Sequence, residues 1–123
     1  MSARFTIAGR MCGLNDFLGA ANTNRFKAAG IKQRETERAR AACVAQGVPS
    51  FPPDRPVRVR FTWYERDRRR DVDNVAFAKK FVLDGMVLAG VIRDDSRRYV
   101  AATTDDVLTD RDDPRVEVEV ERL

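Results

Sequence analysis

Val57-Arg58-Val59-Arg60-Phe61-Thr62-Trp63-Tyr64 alternates strictly between apolar and polar side chains. A strand sends successive side chains to opposite faces, so Val57, Val59, Phe61 and Trp63 form a buried face and Arg58, Arg60, Thr62 and Tyr64 an open one. The chain therefore contains a sheet with one covered face. Immediately upstream, Pro52, Pro53 and Pro56 mark a turn-rich connection. Before it, Ile31 to Gln46 is rich in Ala, Arg, Glu, Gln and Lys, and Gly47 and Pro49 follow, which predicts a helix. Arg4 to Ala8 alternates weakly around Phe5 and Ile7 and reads as a short first strand ending at Gly9. Residues 13 to 30 hold Gly13, Gly19, Gly30 and the run Ala21-Asn22-Thr23-Asn24, and read as irregular with a short helix around Phe17.

Downstream, Asn74 to Ala89 is apolar at most positions and ends at Gly90, which predicts one buried helix. After the Arg93-Asp94-Asp95-Ser96 turn a strand is expected from about Arg97 to Thr104. A last strand follows, in which Val116, Val118 and Val120 alternate with Glu117, Glu119 and Glu121. The order β, α, β, α, β, β predicts an α+β fold, one mixed β-sheet with packed helices. Arg58 and Arg60 suit either DNA phosphates or Glu117 and Glu119 across the sheet, and cross-strand pairing is the favoured reading.

With 123 residues the chain suits one core, so a single domain over residues 1–123 is expected. No apolar run approaches the roughly 18 residues of a membrane span, and the N-terminal segment lacks a secretory pattern. A soluble cytoplasmic protein without a membrane partner is the expectation. Histidine is absent, which excludes His-based nucleophilic triads and His-ligated zinc; Cys12 and Cys43 alone cannot build a structural zinc site and are expected to be reduced. The net charge of +4 is divided unevenly: residues 1–70 hold 15 Lys/Arg against 6 Asp/Glu, and residues 71–123 hold 8 against 13. A basic first half suits a polyanion such as nucleic acid, or simply a solvated surface.

The acidic residues cluster. Arg68-Arg69-Arg70-Asp71-Val72-Asp73-Asn74 precedes the expected helix, and Asp94-Asp95 follows it. If the chain before Asn74 is extended, Asp71 and Asp73 project to one side and can share a metal. Continuing helically from residue 73 at about 100° per residue puts Asp73, Phe77, Lys80 and Asp84 on one stripe, while Lys79 points elsewhere. Mg²⁺ prefers carboxylate and water ligands, and such a cluster of carboxylates expects a cation. An Asp-rich turn also caps a helix, with Asp73 or Asn74 as acceptor, and acidic loops are often only solvated. A sugar-nucleotide transferase could use an Asp-x-Asp pair too, but the chain leaves little room for a nucleotide-binding domain, so no nucleotide cofactor is expected.

These motifs together resemble the RusA-type Holliday-junction resolvases, crossover junction endodeoxyribonucleases that are often phage- or prophage-borne. The resemblance runs from Gly13-Leu14-Asn15-Asp16-Phe17, through Arg70-Asp71-Val72-Asp73-Asn74 and Leu83-Asp84, to Gly90-Val91-Ile92-Arg93-Asp94-Asp95-Ser96. It implies a homodimer that nicks four-way DNA junctions symmetrically with Mg²⁺, for which Mn²⁺ can substitute. It implies Asp71, Asp73 and Asp95 as metal ligands, with Asp94 either supporting the metal site from behind those ligands or serving as an alternate ligand. The family also uses a lysine in the helix. Phe77 stands three positions after Asn74, and the stripe selects Lys80 rather than Lys79 for that catalytic role. Arg66, Arg68, Arg69 and Arg70 are expected to grip phosphates beside the cut or to neutralise the acidic cluster. Lys32, Arg34, Arg38 and Arg40 give the first long helix a basic character that could track a junction arm. The competing expectation is a catalytically silent branched-DNA-binding module of the same fold.

Overall fold

In the computed structural model, which describes residues 1–123, the element order is β1 (Ser2–Ala8), α1 (Leu14–Thr23), α2 (Arg25–Ala45), β2 (Val57–Glu65), α3 (Val72–Ala76), α4 (Lys79–Leu88), β3 (Val100–Thr109) and β4 (Arg115–Arg122). The strands form one sheet in the order β1-β4-β2-β3. β4 pairs antiparallel with β1 and β2, whereas β2 and β3 are parallel, so the sheet is mixed as expected. A parallel pair needs a crossover, and α3 and α4 lie in it.

Val57, Val59, Phe61 and Trp63 are all buried, and join Phe5, Ile7, Val116, Val118 and Val120 in a core closed by Ala39 and Cys43 of α2 and Phe81, Val82 and Met86 of α4. The opposite sheet face carries ion pairs, Arg4 with Glu119 at 2.7 Å and Arg60 with Glu121 at 3.6 Å. Arg58 and Arg60 thus pair across the sheet, and both reach Glu121 where Glu117 and Glu119 were expected: the register sets Arg58 opposite Glu121, and Arg60, opposite Glu119, reaches diagonally to the same carboxylate. No helix is long and apolar enough to cross a membrane.

Three expectations require correction. Residues 13 to 30 are largely helical: α1 spans ten residues, and α2 begins at Arg25, where the Asn24 side chain accepts the Phe26 N–H at 2.7 Å. Tertiary packing outweighs the glycines there, since the Phe17 ring packs tilted against Phe77 and edge-on against Phe81 at centroid distances of 5.3 and 5.8 Å. The expected helix over 74–89 is broken into α3 and α4. At the break the backbone tightens, Ala78 N–H bonding Val75 O and Lys80 N–H bonding Phe77 O, and Phe77 turns in to pack edge-on against Phe81. Finally, β3 begins at Val100, not Arg97, because Tyr99 and Val100 both donate to the Ser96 carbonyl and extend the turn.

α2 and α4 cross closely at Gly85, where an added Cβ would lie 2.6 Å from Ala39 Cβ and 2.8 Å from the Thr36 carbonyl oxygen. α4 is followed, after Ala89, by Gly90, whose φ of +77° suits glycine after a helix. The outer edge of β1 is guarded: the Gln46 amide accepts from Thr6 N–H at 2.8 Å and donates to Thr6 O at 2.7 Å, as a neighbouring strand would.

Candidate active site

Asp71 is the residue before α3, extended at φ −70° and ψ 159°, and Asp73 lies in the first turn of that helix. The premise that the chain stays extended to Asn74 therefore fails, because the helix starts at Val72. In a helix, side chains two apart diverge by about 200°, so the common projection of Asp71 and Asp73 is not given by strand geometry. Both residues are exposed and neither carboxylate has an ion-pair or hydrogen-bond partner, so the capping reading of Asp73 is not realised.

The turn that presents them is fixed from both sides. Arg70 donates to the Met11 carbonyl at 2.9 Å and to Asp16 Oδ2 at 3.2 Å, and lies 3.7 Å from the buried carboxylate of Glu65. On the other side Asn74 Oδ1 accepts the Asn15 N–H at 3.0 Å. Gly13 is required beneath it, since a Cβ there would approach Asn74 Oδ1 to 2.7 Å. Each chemically distinctive residue of Gly13-Leu14-Asn15-Asp16-Phe17 except Leu14 therefore meets the 70–77 stretch: Gly13 and Asn15 at Asn74, Asp16 at Arg70, Phe17 at Phe77.

Lys80, in the first turn of α4, meets Asp95 of the turn that follows the helix. The Lys80 ammonium hydrogen-bonds Asp95 and lies 3.1 Å from Asp84 Oδ1. The hydrogen bond from Lys80 holds the Asp95 carboxyl below its ordinary pKa, and the Asp95 bond in turn raises that of Lys80, with Asp84 adding to it. Lys79 points to Asp105, which also accepts the Trp63 indole N–H at 2.9 Å. The stripe reading thus separates the two lysines as expected and joins Lys80 to Asp84. Its Phe77 member instead enters the aromatic cluster.

No three carboxylate or thiol side chains approach one another closely enough to hold a metal ion, so Asp71, Asp73 and Asp95 do not form a closed ligand set. The donor chemistry nevertheless fits a hard divalent cation: the groups are all carboxylates, two of them are unpaired, and Asp95 already holds a positive group, the Lys80 ammonium. Asp94, exposed in the same turn, lines a groove with Asp84 and Asp95.

Of the arginines, Arg66, Arg68 and Arg69 are exposed, and Arg66 and Arg69 each lie 3.7 Å from Asp67. Arg70 is different: half-buried and committed to Met11, Asp16 and Glu65. Arg38 is likewise engaged, bonding the Arg10 and Ala8 carbonyls and Glu35, and Arg40 pairs with Glu37. Of the basic stripe expected on α2, Arg38 is spent inside the protein and Arg40 on a surface pair, which leaves Lys32 and Arg34 exposed. Glu35 and Glu65, both buried, were missed in the sequence. Glu65 occupies an inward position of β2, and that in-phase carboxylate just before an arginine run was the available signal.

The family model described as Endodeoxyribonuclease RusA matches residues 21–121 of the chain. Comparison with curated proteins gives no significant match.

Proposed function

The chain belongs to the RusA endodeoxyribonuclease family, which acts on Holliday junctions, and from that premise we propose that it resolves four-way junctions by metal-dependent hydrolysis at Asp71, Asp73 and Asp95. The observation that carries this reading is the pinned turn. Arg70 and Asn74 hold it from both sides, while the Asp71 and Asp73 carboxylates it presents are exposed and unpaired. Stability alone does not call for unpaired carboxylates, and mutual repulsion opposes gathering them without a cation.

Asp71 and Asp73 would hold Mg²⁺, or Mn²⁺ in its place, together with Asp95, and Asp94 offers a further oxygen from the same turn. When bound, such a cation supplies an acidified water and neutralises charge on the phosphoryl oxygens. Lys80, which hydrogen-bonds Asp95 and lies beside Asp84, would donate to the charge that develops on the phosphate. Arg66, Arg68 and Arg69 grip phosphates flanking the cut. Arg70 contributes mainly by holding the turn. Two copies related by a two-fold axis would nick strands of like polarity symmetrically, in the cytoplasm, on branched DNA.

The test is a labelled four-way junction incubated with Mg²⁺ and either the parent protein or Asp71→Asn. The parent is expected to cut, and Asp71→Asn to bind without cutting, because removing a negative charge beside phosphates does not weaken electrostatic attraction. Binding without cutting by the parent would establish the catalytically silent module in its place.

A further inference from the structure

Beside Asp95, α2 and α4 bound a groove of about 690 Å³, and apart from Asp94 and Asp95 at one end no step of the hydrolysis uses its lining. Its walls are apolar where Ala29, Val87 and Leu88 face it, and Lys32, Gln33, Thr36 and Glu37 supply polar groups from α2. One end is closed by Asp84, Asp94 and Asp95, so the groove runs directly into the Lys80–Asp84–Asp95 cluster. The groove's position follows from the fold. Gly85 lets α4 approach α2 to backbone contact beside Thr36, and Thr36 also lines the groove.

Thr36 supplies an independent sign of a ligand. The residue is 8% exposed, and its hydroxyl has no hydrogen-bond partner. A threonine in a helix ordinarily bonds back to the preceding turn, and a shielded, unpaired hydroxyl is costly. Thr36 belongs to the groove's lining with its hydroxyl shielded just behind the surface, and a turn of the side chain about its Cα–Cβ bond would offer that hydroxyl to an entering polar edge.

We propose that this groove receives an unstacked nucleobase next to the scissile phosphate and so determines the nucleotide sequence at which the protein cuts. The inference rests on the nuclease reading. The charge around the lining favours one part of DNA: four carboxylates, Glu37, Asp84, Asp94 and Asp95, outnumber the cations that meet them, Lys32 in the lining, Lys80 beside Asp84 and Asp95, and Arg40 beside Glu37, so a phosphate is disfavoured and a neutral base is not. Ala29, Val87 and Leu88 offer an apolar surface to the base, and Gln33, Lys32 and Thr36 offer hydrogen bonds to its edge. Such a step costs least where stacking or pairing is already weakened, as it is at a crossover that a bound protein holds open.

The experiment compares the parent with Thr36→Val, Gln33→Ala and Ala29→Phe, the last filling the groove from an exposed helix position. Four-way junctions differing only in the nucleotides flanking the crossover are cut with Mg²⁺, and rates are ranked by sequence. The parent should prefer some flanking nucleotides by about tenfold or more, the size of one well-made base contact. Thr36→Val and Gln33→Ala should flatten that preference, and Ala29→Phe should abolish it. In parallel, 2-aminopurine is placed at the crossover and its fluorescence followed on binding to Asp71→Asn. It should rise as the base leaves the stack, and adding Ala29→Phe should remove the rise while junction binding persists. A preference untouched by all three substitutions, or a rise that survives Ala29→Phe, overturns the proposal. A parent that binds but never cuts defeats the nuclease reading instead, and the fluorescence comparison still decides the groove.

Discussion

Asn74 Oδ1 accepts the backbone N–H of Asn15 at 3.0 Å, and in doing so caps a helix to which it does not belong. α1 starts after Gly13, which has no capping side chain, so the first N–H groups of that helix need an acceptor from elsewhere. Asn74 supplies it, and the contact seats the first turn of α3 against the first turn of α1.

Replacing Asn74 with alanine should therefore cost about 1 kcal/mol, the usual value of a lost helix cap, read from urea unfolding. Cutting of a four-way junction should fall further than this loss of stability accounts for, because the turn carrying Asp71 and Asp73 loses one of its two attachments. Asn74→Asp keeps an acceptor at that place and should recover the stability. Gly13→Ala should act on the same contact from the other side, since its new Cβ would sit 2.7 Å from Asn74 Oδ1 and 3.2 Å from the Asn74 carbonyl oxygen. Wild-type unfolding and cutting in Gly13→Ala would show that the seat is unnecessary.

The glycines of the helices should respond oppositely to alanine. At Gly85 the added methyl meets Ala39 Cβ at 2.6 Å and the Arg40 backbone nitrogen at 2.8 Å, so the α2–α4 crossing must open, at a cost of about 1–3 kcal/mol. At Gly30, exposed in α2, nothing lies within 4 Å, and the substitution should stabilise by about 0.5–1 kcal/mol through helix propensity alone. Denaturation midpoints of the two variants on opposite sides of the parent would check both.

Neighbouring lysines should separate by what they change. Lys79 anchors α4 to β3 through Asp105, a partly buried pair, and Lys79→Met should lower stability by about 1.5–3 kcal/mol, the range for a hydrogen bond to a charged group. Lys80 is 55% exposed, so Lys80→Met should leave unfolding nearly unchanged. Its effect should fall on junction cutting, reduced about 10²–10³-fold if the ammonium donates to the developing charge. Unfolding curves and single-turnover cutting on the same two variants make the comparison, and the reverse pattern would move the catalytic role to Lys79.

Periodicity revealed much of this fold. The strict alternation of Val57–Tyr64 and of Val116–Glu121 each places one face in the core, and no competing pattern fits. It could not reveal the break at Phe77–Ala78, because both residues suit a continuous helix. The break arises from Phe17, distant in sequence, drawing Phe77 into an aromatic cluster. The same limit applied to the site. Lys80 and Asp84 lie one helical turn apart and were legible together, as was the separation of Lys79. Asp71 and Asp73 were read with strand spacing, and the helix that starts at Val72 removes that argument. The attachments at Arg70 and Asn74 reach to residues 11–16, and contacts across such distances leave no periodic trace.

The two cysteines should differ in reactivity, and neither forms a disulfide. Cys43 is 1% exposed, and burial pushes its thiol up to about 11 from an ordinary 9.0. At pH 8 only about one molecule in a thousand would carry the thiolate, the form that attacks a disulfide reagent. Cys12 is only partly covered, and its thiol is also raised, by burial first and then by the carboxylates of Asp16 and Glu35. A disulfide dye at pH 8 should therefore titrate one thiol slowly in the folded protein and the second only after urea is added. Asp16→Asn should speed the first reaction, because removing the negative charge lowers the thiol pKa and enlarges the thiolate fraction, and it should leave the second untouched. Prompt reaction of both thiols without denaturant would mean that α2 opens from the sheet in the native state, since Cys43 is reached only by lifting that helix from β1 and α4.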